Sequence, residues 1–329
     1  MVAVTGASGH VGANLVRALI ERGRKVRAIV HRDLRALEGL EVEQARADVL
    51  DRPSLERAFS GCEAVYHLAV HISISKRDAA IASRINAEGT RNVVEACKAA
   101  NVGRLVHFSS IHAFSTLPRD ETIDEGRPLA GGEASAYDRS KADADRAVLQ
   151  AVEEGLNAVI LNPTAVLGPH DYKPSYMGKT LLAIYHRDLK ALVRGGFDWV
   201  DVRDVVQGAL QAERLAGSGE RFLLSGTWLS IAELARLVGE TTGRRVVRFV
   251  SPMWLARFGV PFVALAASIG KTEPLYTSES LHALRNHRYI SHGKAARELG
   301  YNPRPLSDTL RDTFAWFGEQ GYLEPGSRG

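Results

Sequence analysis

Tyr137 and Lys141 set a phenol and an ammonium four residues apart, hence on one face of the chain wherever that segment is helical. Such a pair can exchange a proton with a substrate oxygen, provided something lowers a phenol that ordinarily titrates at about 10. The Lys141 ammonium and an oxidised nicotinamide are both suited to lower it. Ser110, just after the apolar run Leu105-Val-His-Phe-Ser109, can hold the same oxygen by a hydrogen bond. The spacing of tyrosine and lysine arises by chance often enough to carry little weight alone. Far upstream, Thr5-Gly6-Ala7-Ser8-Gly9-His10-Val11-Gly12 has the glycine spacing of a turn that cradles a pyrophosphate. Gly6 permits the tight turn, Gly9 lets phosphates reach the backbone, and Gly12 lets a helix pack closely on a strand. Alone, this run is also compatible with a plain strand-to-helix turn.

These groups meet only if the chain builds a parallel sheet, whose strand ends form a ligand crevice. The first half predicts one. Short apolar runs at Val2–Thr5, Val26–Val30, Val42–Arg46, Ala64–His67, Arg104–Ser109 and Ala158–Leu161 alternate with helical patterns at Val11–Arg22, Pro53–Phe59, Ile81–Ala100 and Glu133–Glu154. Gly23, Gly61, Gly103 and Gly155 supply stops after or near the helices. After Leu161 the pattern changes. Asn162-Pro-Thr-Ala-Val-Leu-Gly-Pro169 reads as loop, and Pro174, Gly178 and Gly195-Gly196 interrupt the next thirty or so positions. Val200–Ala216 returns to strand-then-helix patterning, Phe222–Ser225 adds a strand, and Ile231–Thr242 is a well-patterned helix.

Composition excludes several classes. With 45% hydrophobic and 24% charged residues in 329, the chain has an ordinary globular composition and is long enough for one large core or two coupled ones. Forty-two basic against thirty-eight acidic residues leave a charge of +4, and the basic residues are scattered, so no nucleic-acid partner is expected. Cys62 and Cys97 lack metal-ligand spacing; we expect packed thiols, no metal and a reducing compartment. The opening strand leaves no room for a leader, which makes a cytoplasmic location the expectation. The most apolar stretch, Pro252–Ile269, is interrupted by Arg257, Gly259 and Pro261, so no membrane span is expected.

At the second strand's end an NAD-selective site would place an acid against the ribose, yet here the chain runs Val30-His31-Arg32, with no carboxylate before Asp33. Arg32, assisted by His31 and Arg35, is suited instead to a 2′-phosphate, which points to NADP(H) with NAD(H) as the alternative. The other reading is a solvated basic strand end.

Taken in order, the glycine run, Asp48-Val49, His67-Leu-Ala-Val70, Asn86-Ala-Glu-Gly-Thr90, Phe108-Ser-Ser110, Tyr137-Asp-Arg-Ser-Lys141, Asn162–Pro169, Asp201-Val-Arg-Asp204 and Lys294-Ala-Ala-Arg-Glu-Leu-Gly-Tyr301 resemble the motifs of the extended short-chain dehydrogenase/reductase superfamily, the NAD(P)-dependent epimerase/dehydratase fold. Within it the chain is most similar to the dihydroflavonol reductase and 3β-hydroxysteroid dehydrogenase branch and to bacterial relatives called hopanoid-associated sugar epimerases. The resemblance implies a Rossmann doubly wound parallel α/β sheet with a smaller, discontinuous C-terminal substrate lobe. The expected division is residues 1–165 and 199–226 for the dinucleotide domain, and 166–198 and 227–329 for the lobe.

The resemblance further implies that Gly6, Ser8, Gly9, His10, Val11 and Gly12 line the pyrophosphate site and that Asp48 and Val49 touch adenine. Leu68, Ala69 and Val70 would flank the cofactor, with Pro163 and Val166 beside its nicotinamide. Ser110, Tyr137 and Lys141 would be the catalytic triad, Lys141 also reaching the ribose. Where dehydratases carry an Asp-Glu pair, Ile111-His112 stands, which argues against water elimination. Where nucleotide-sugar epimerases place an arginine clamp, Phe197-Asp198-Trp199 stands, and Arg285 or Arg288 would have to replace the arginine of a missing Arg-Pro-Gly-Asp-like stretch.

His112 is either a second proton donor or a histidine bonded to backbone. Asn86 is either a helix cap or the holder of a relay water. His112, Asn162, Tyr176 and Trp199 are the expected substrate contacts, and Trp254, Phe258 and Phe262 offer further apolar surface. The reading is an NADP(H)-preferring oxidoreductase interconverting a secondary alcohol and a ketone on a small, apolar or cyclic molecule. Its alternatives are a sugar or nucleotide-sugar epimerase and a non-catalytic NADP-binding regulator. A homodimer is expected through alanine-rich faces of Ile81–Ala100 and Glu133–Glu154.

Overall fold

Runs of β-branched and small residues such as Val2-Ala-Val-Thr5 form short, fully buried strands. The computed structural model describes residues 1–30, 33–71, 79–189, 191–252, 284 and 288–324. In it, β1 (Val2–Thr5), β2 (Val26–Val30), β3 (Glu43–Arg46), β4 (Ala64–His67), β5 (Arg104–Phe108) and β6 (Ala158–Pro163) are joined by helical crossovers. Three further strands, β7 (Ala165–Leu167), β8 (Leu192–Val193) and β9 (Gly196–Asp201), precede β10 (Arg221–Leu224). The main sheet has seven parallel strands in the order β10-β6-β5-β4-β1-β2-β3. From β1 the chain moves outward through β2 and β3, then returns to β4 on the other side. The crevice of a doubly wound sheet therefore opens between the ends of β1 and β4.

Alternation along the strands divides the core. On one face Val4, Tyr66, Val106, Leu161 and Phe222 pack with α1 (His10–Glu21), the helix Val202–Leu215 and the helix Gly293–Leu299. On the other, Val65, Leu105 and Ile160 pack with α2 (Arg52–Phe59), α4 (Gly89–Ala99) and α5 (Ala136–Glu153). A separate cluster, including Leu181, Trp199, Leu234, Phe314 and Phe317, joins α6 (Tyr176–Tyr185), the helix Ile231–Thr242 and the helix Leu306–Glu319.

Two expectations change. The segment Asn162–Pro169 is not simply loop: β6 runs on to Pro163, tolerated at a strand's end, and β7 pairs in parallel with β9. The helix expected over Ile81–Ala100 begins as α3 (Ala79–Ser83) and passes through a π turn at Arg84–Glu88 before α4. On the helices whose alanine-rich faces are expected to form a dimer, Ala96, Ala142, Ala144 and Ala151 are buried within the chain. The groove between α4 and α5 is lined by charged residues including Arg91, Glu95, Lys98, Asp143, Arg146 and Glu154. No helix among the described residues is long and apolar enough to cross a membrane.

At the carboxyl ends of the strands the α5-side face turns polar. Thr5, His67, His107 and Asn162 stand there, from β1, β4, β5 and β6, all buried. Burial, and then neighbouring positive charge, holds His67 well below the usual histidine value of 6.5; burial also lowers His107, with Asp145 opposing. The unfolded chain protonates these rings below about pH 6.5 while the folded chain does not, so stability falls as pH drops through that value. The slope should approach about 1.4 kcal/mol per pH unit for each ring. Urea midpoints measured from about pH 7.5 to 5 should show the decline, and His107→Phe should flatten it; a pH-independent midpoint would contradict the buried neutral state.

Candidate active site

Gly6 adopts φ +67°, and a β-carbon there would lie 2.9 Å from the Leu68 carbonyl carbon and the Ala69 nitrogen. Glycine is thus required at the crevice between β1 and β4. Thr5 draws these strand ends together: its hydroxyl accepts from Leu68 N–H at 3.1 Å and Ala69 N–H at 3.2 Å and meets His67 Nδ1 at 2.8 Å. Gly12 lies so close to the turn that a β-carbon would stand 2.1 Å from the Gly6 carbonyl oxygen. Gly9 is exposed, and a β-carbon there would meet only that oxygen, at 3.3 Å.

Helix α1 starts here with no side-chain cap and no acidic residue in its first turn. The amides of His10, Val11 and Gly12 lack intrahelical acceptors, as in any helix's first turn, so backbone donors and the helix dipole face a place suited to an anion. Ser8 stands half-buried beside them. The His10 ring itself turns to the carbonyls of Gly168 and Pro169, each 3.1 Å away, and fastens α1 to the segment after β7. This cradle, shaped by a turn that admits no side chain at Gly6 or Gly12, fits a dinucleotide's pyrophosphate.

Around it, Asp48 is exposed, while Val49 packs against Gly89, where a β-carbon would come within 2.9 Å of its side chain. Val70 is exposed, and Val166 on β7 is half-buried. Pro163 is buried at the end of β6. His31 and Arg32 lie outside the described residues, as do Arg285, Trp254, Phe258 and Phe262. Arg35, expected to assist with a 2′-phosphate, is paired with Asp33 through two contacts of 3.1 and 2.7 Å.

Across the crevice, Ser135 caps α5 by accepting from Asp138 N–H at 3.1 Å, which sets the helix so that Tyr137 and Lys141 face the ends of β5 and β6. Lys141 is buried and donates to the Phe108 carbonyl at 3.3 Å. Ser110 caps a 3-10 turn at Ile111–Ala113 and accepts from His112 N–H at 3.3 Å. The His112 ring stands edge-on to Tyr137, centroids 5.4 Å apart, while the backbone of the same histidine meets Ser110.

Electrostatics here differ from the sequence expectation. Burial, reinforced by the adjacent Asp138 carboxylate, raises the Tyr137 phenol above its ordinary value instead of lowering it. Burial also lowers Lys141 to about 8, Asp145 opposing the shift. The protein alone therefore holds Tyr137 as a proton donor. The His112 ring, for which a backbone partner is one of the two expectations, meets the Asp138 carboxylate instead, Nδ1 to Oδ1 2.8 Å.

Two expected substrate contacts are corrected. Trp199 is 1% exposed, packs in the second core and donates to the Leu229 carbonyl at 3.0 Å, so it supports the lobe from within. Asn162 is wholly buried; its amide donates to the Ser110 carbonyl at 3.1 Å and to Asp145 at 3.2 Å. Tyr176, by contrast, begins α6 half-buried, with Lys179 over its ring. Asn86 neither caps a helix nor points to open space. Inside the π turn it accepts from His71 N–H at 2.9 Å and donates to the His71 carbonyl at 3.1 Å and to Ser140 at 3.2 Å. Sequence reasoning misses Asp138 and Asp145; the latter's signal is its place four residues after Lys141.

The family model for the NAD dependent epimerase/dehydratase family matches residues 2–224. "Sterol demethylase protein B" of Methylococcus capsulatus is 35% identical, over 97% of this chain and 99% of its own. A 4-hydroxy-2-methyl-3-oxo-4-farnesyl-3,4-dihydroquinoline-1-oxide ketoreductase of Stigmatella aurantiaca is 29% identical, over 97% and 96%. Among solved structures, a nucleoside-diphosphate-sugar epimerase from Pseudomonas aeruginosa superposes with a TM-score of 0.79 at 28% identity, covering 98% of this chain and 99% of that one.

The two helix-side glycines should separate experimentally. Gly12→Ala forces a backbone shift and should cost about 1–3 kcal/mol or more in urea unfolding. Gly9→Ala should leave stability within about 0.5 kcal/mol, yet weaken NADPH binding at least about tenfold by fluorescence titration, because a methyl group would intrude on the anion's side. Unchanged binding in Gly9→Ala would move the pyrophosphate elsewhere.

Proposed function

We propose that this chain, which belongs to the NAD-dependent epimerase/dehydratase family and is an NAD(P)-dependent enzyme, works as a reductase. It interconverts a ketone and a secondary alcohol on an apolar or cyclic molecule, with NADP(H) preferred. The observation that carries the reading is that His112 meets Ser110 through its backbone and Tyr137 through its ring, with Lys141 buried against the Phe108 carbonyl, at the same strand ends as the glycine turn.

When bound, the nicotinamide supplies the hydride. Gly6, Gly9, Gly12 and the amides that open α1 would hold the pyrophosphate, and Lys141 would meet the ribose. The chain's own part is the proton. Ser110 holds the substrate oxygen, Tyr137 donates its phenolic proton to it, and the Lys141 ammonium stabilises the phenolate left behind. A phenol kept protonated by burial and by Asp138 suits the reductive direction. His112, steadied by Asp138, stands close enough to orient the same oxygen.

The apolar substrate class rests on the relatives' names, a sterol demethylase protein and a farnesyl-quinoline ketoreductase, and on Phe197 where a cationic clamp would serve a diphosphate. One observation favours nucleotide-sugar epimerisation instead, the likeness to the Pseudomonas epimerase. Against it, Arg288, one of the two replacement clamps, stacks on Trp228 at 4.7 Å and on Tyr289 at 5.7 Å.

Incubated with NADPH and a panel of cyclic apolar ketones, the protein should oxidise the cofactor, and Tyr137→Phe should reduce that rate by at least about a hundredfold while NADPH still binds. Turnover or thermal stabilisation with UDP-sugars alone would replace the reductase by the epimerase. Direct titration should give tighter binding of NADPH than of NADH, and Arg32→Ala should remove that difference. Equal losses for both cofactors would reduce Arg32 to general electrostatics.

A further inference from the structure

Beneath Lys141 the core contains a carboxylate that no step above uses. Asp145 lies one helical turn further along α5, with a relative exposure of 0%. Its Oδ2 accepts from Asn162 Nδ2 at 3.2 Å, and the other proton of that amide goes to the Ser110 carbonyl at 3.1 Å. Its Oδ1 lies 3.5 Å from His107 Nε2 without forming a hydrogen bond. A fully buried carboxylate with a single donor is costly to maintain, and an apolar residue would fill the space at less cost. Packing therefore does not explain it.

We propose that Asp145 is the positioning residue of the active site: one helical turn from Lys141 its carboxylate is the counter-charge for that buried ammonium, and through Asn162 the carboxylate itself is tied to the backbone of Ser110. The groups around Lys141 support this. From β4 and β5 it faces His67 and His107, which are neutral; from its own helix come Tyr137 and Asp145. Asp145 is the charge acting on Lys141, and it opposes the burial that lowers the ammonium to about 8. Asn162 has both amide protons committed, so movement of Asp145 is transmitted to Ser110. Tyr137, Lys141 and Asp145 thus form one stripe on α5, the phenol toward the crevice and the carboxylate at the closed end.

The proposal rests on Lys141 belonging to the site, but its test does not depend on turnover. In protein carrying 13Cε-labelled lysine, the Lys141 signal, assigned with Lys141→Arg, should titrate at about 8. Asp145→Asn keeps the shape and removes the charge, so the midpoint should fall by at least about one pH unit. Asp145→Glu should restore most of it, which a merely structural role would not predict. An unmoved midpoint in Asp145→Asn overturns the proposal. Should that variant not fold, Asp145→Ser removes the charge with a smaller side chain and carries the same test on the Lys141 signal: the midpoint must fall by at least about one pH unit, and an unmoved midpoint overturns the proposal equally. Failure of every ketone to react would remove the reductase reading and leave these titrations as they are.

Discussion

Between the Gly6 carbonyl oxygen and the place where a β-carbon on Gly12 would stand there is only 2.1 Å. That approach lets α1 begin directly behind β1, so its free amides open where the strand order reverses. The Thr5 hydroxyl then binds the backbone leaving β4, and the turn at Gly6 leaves no room for a side chain between the two. One steric constraint thus defines the floor of the crevice and the direction from which an anion can enter. The opposite wall, on α5, has chemical meaning only because this floor is rigid.

The opposite wall departs from the usual composition of a core. Where the α5-side face of the sheet otherwise packs apolar residues such as Ala3, Val65, Leu105 and Ile160, its carboxyl-terminal rim carries Thr5, His67, His107 and Asn162, with Lys141 and Asp145 above. His107's ring nitrogens, Ser109 Oγ, Asp145 Oδ1 and Asn162 Oδ1 have no protein hydrogen-bond partner, and each such group costs about 1–3 kcal/mol when buried. Local rules of packing are broken together in one place, as expected of a site where polarity serves chemistry at some cost in stability. The same burial sets the acidities: a low-dielectric pocket raises the phenol, lowers the ammonium and keeps the histidines neutral.

Much of this was legible in the order of residues. Strands at Val2–Thr5, Val26–Val30 and Ala64–His67 lie where their apolar runs predict, because buried parallel strands need continuous apolar sequence. Gly6 and Gly12 announce a turn and a close approach, since both requirements are steric and local. Punctuation by Pro163, Gly168 and Pro169 conceals β7, whose three residues owe their strand form to pairing with β9. Trp199 suggests a substrate contact in sequence because it follows the segment expected beside the nicotinamide and precedes Asp201-Val-Arg-Asp204. Its burial depends on Leu181, Leu234 and Phe314, all distant along the chain.

By itself, the sequence determined the α/β alternation, the glycine turn and the pairing of a phenol with an ammonium on one helical face. Each follows from spacing within a few residues, through periodicity or the absence of a side chain. Only the tertiary structure decided which way those groups titrate, that His112 is held by Asp138, and that Asn162 joins Ser110 to Asp145. A pKa depends on how much water surrounds a group and on charges that reach it through space. Both are set when residues as far apart as Ser110 and Asn162, 52 positions along the chain, are brought within hydrogen-bonding distance.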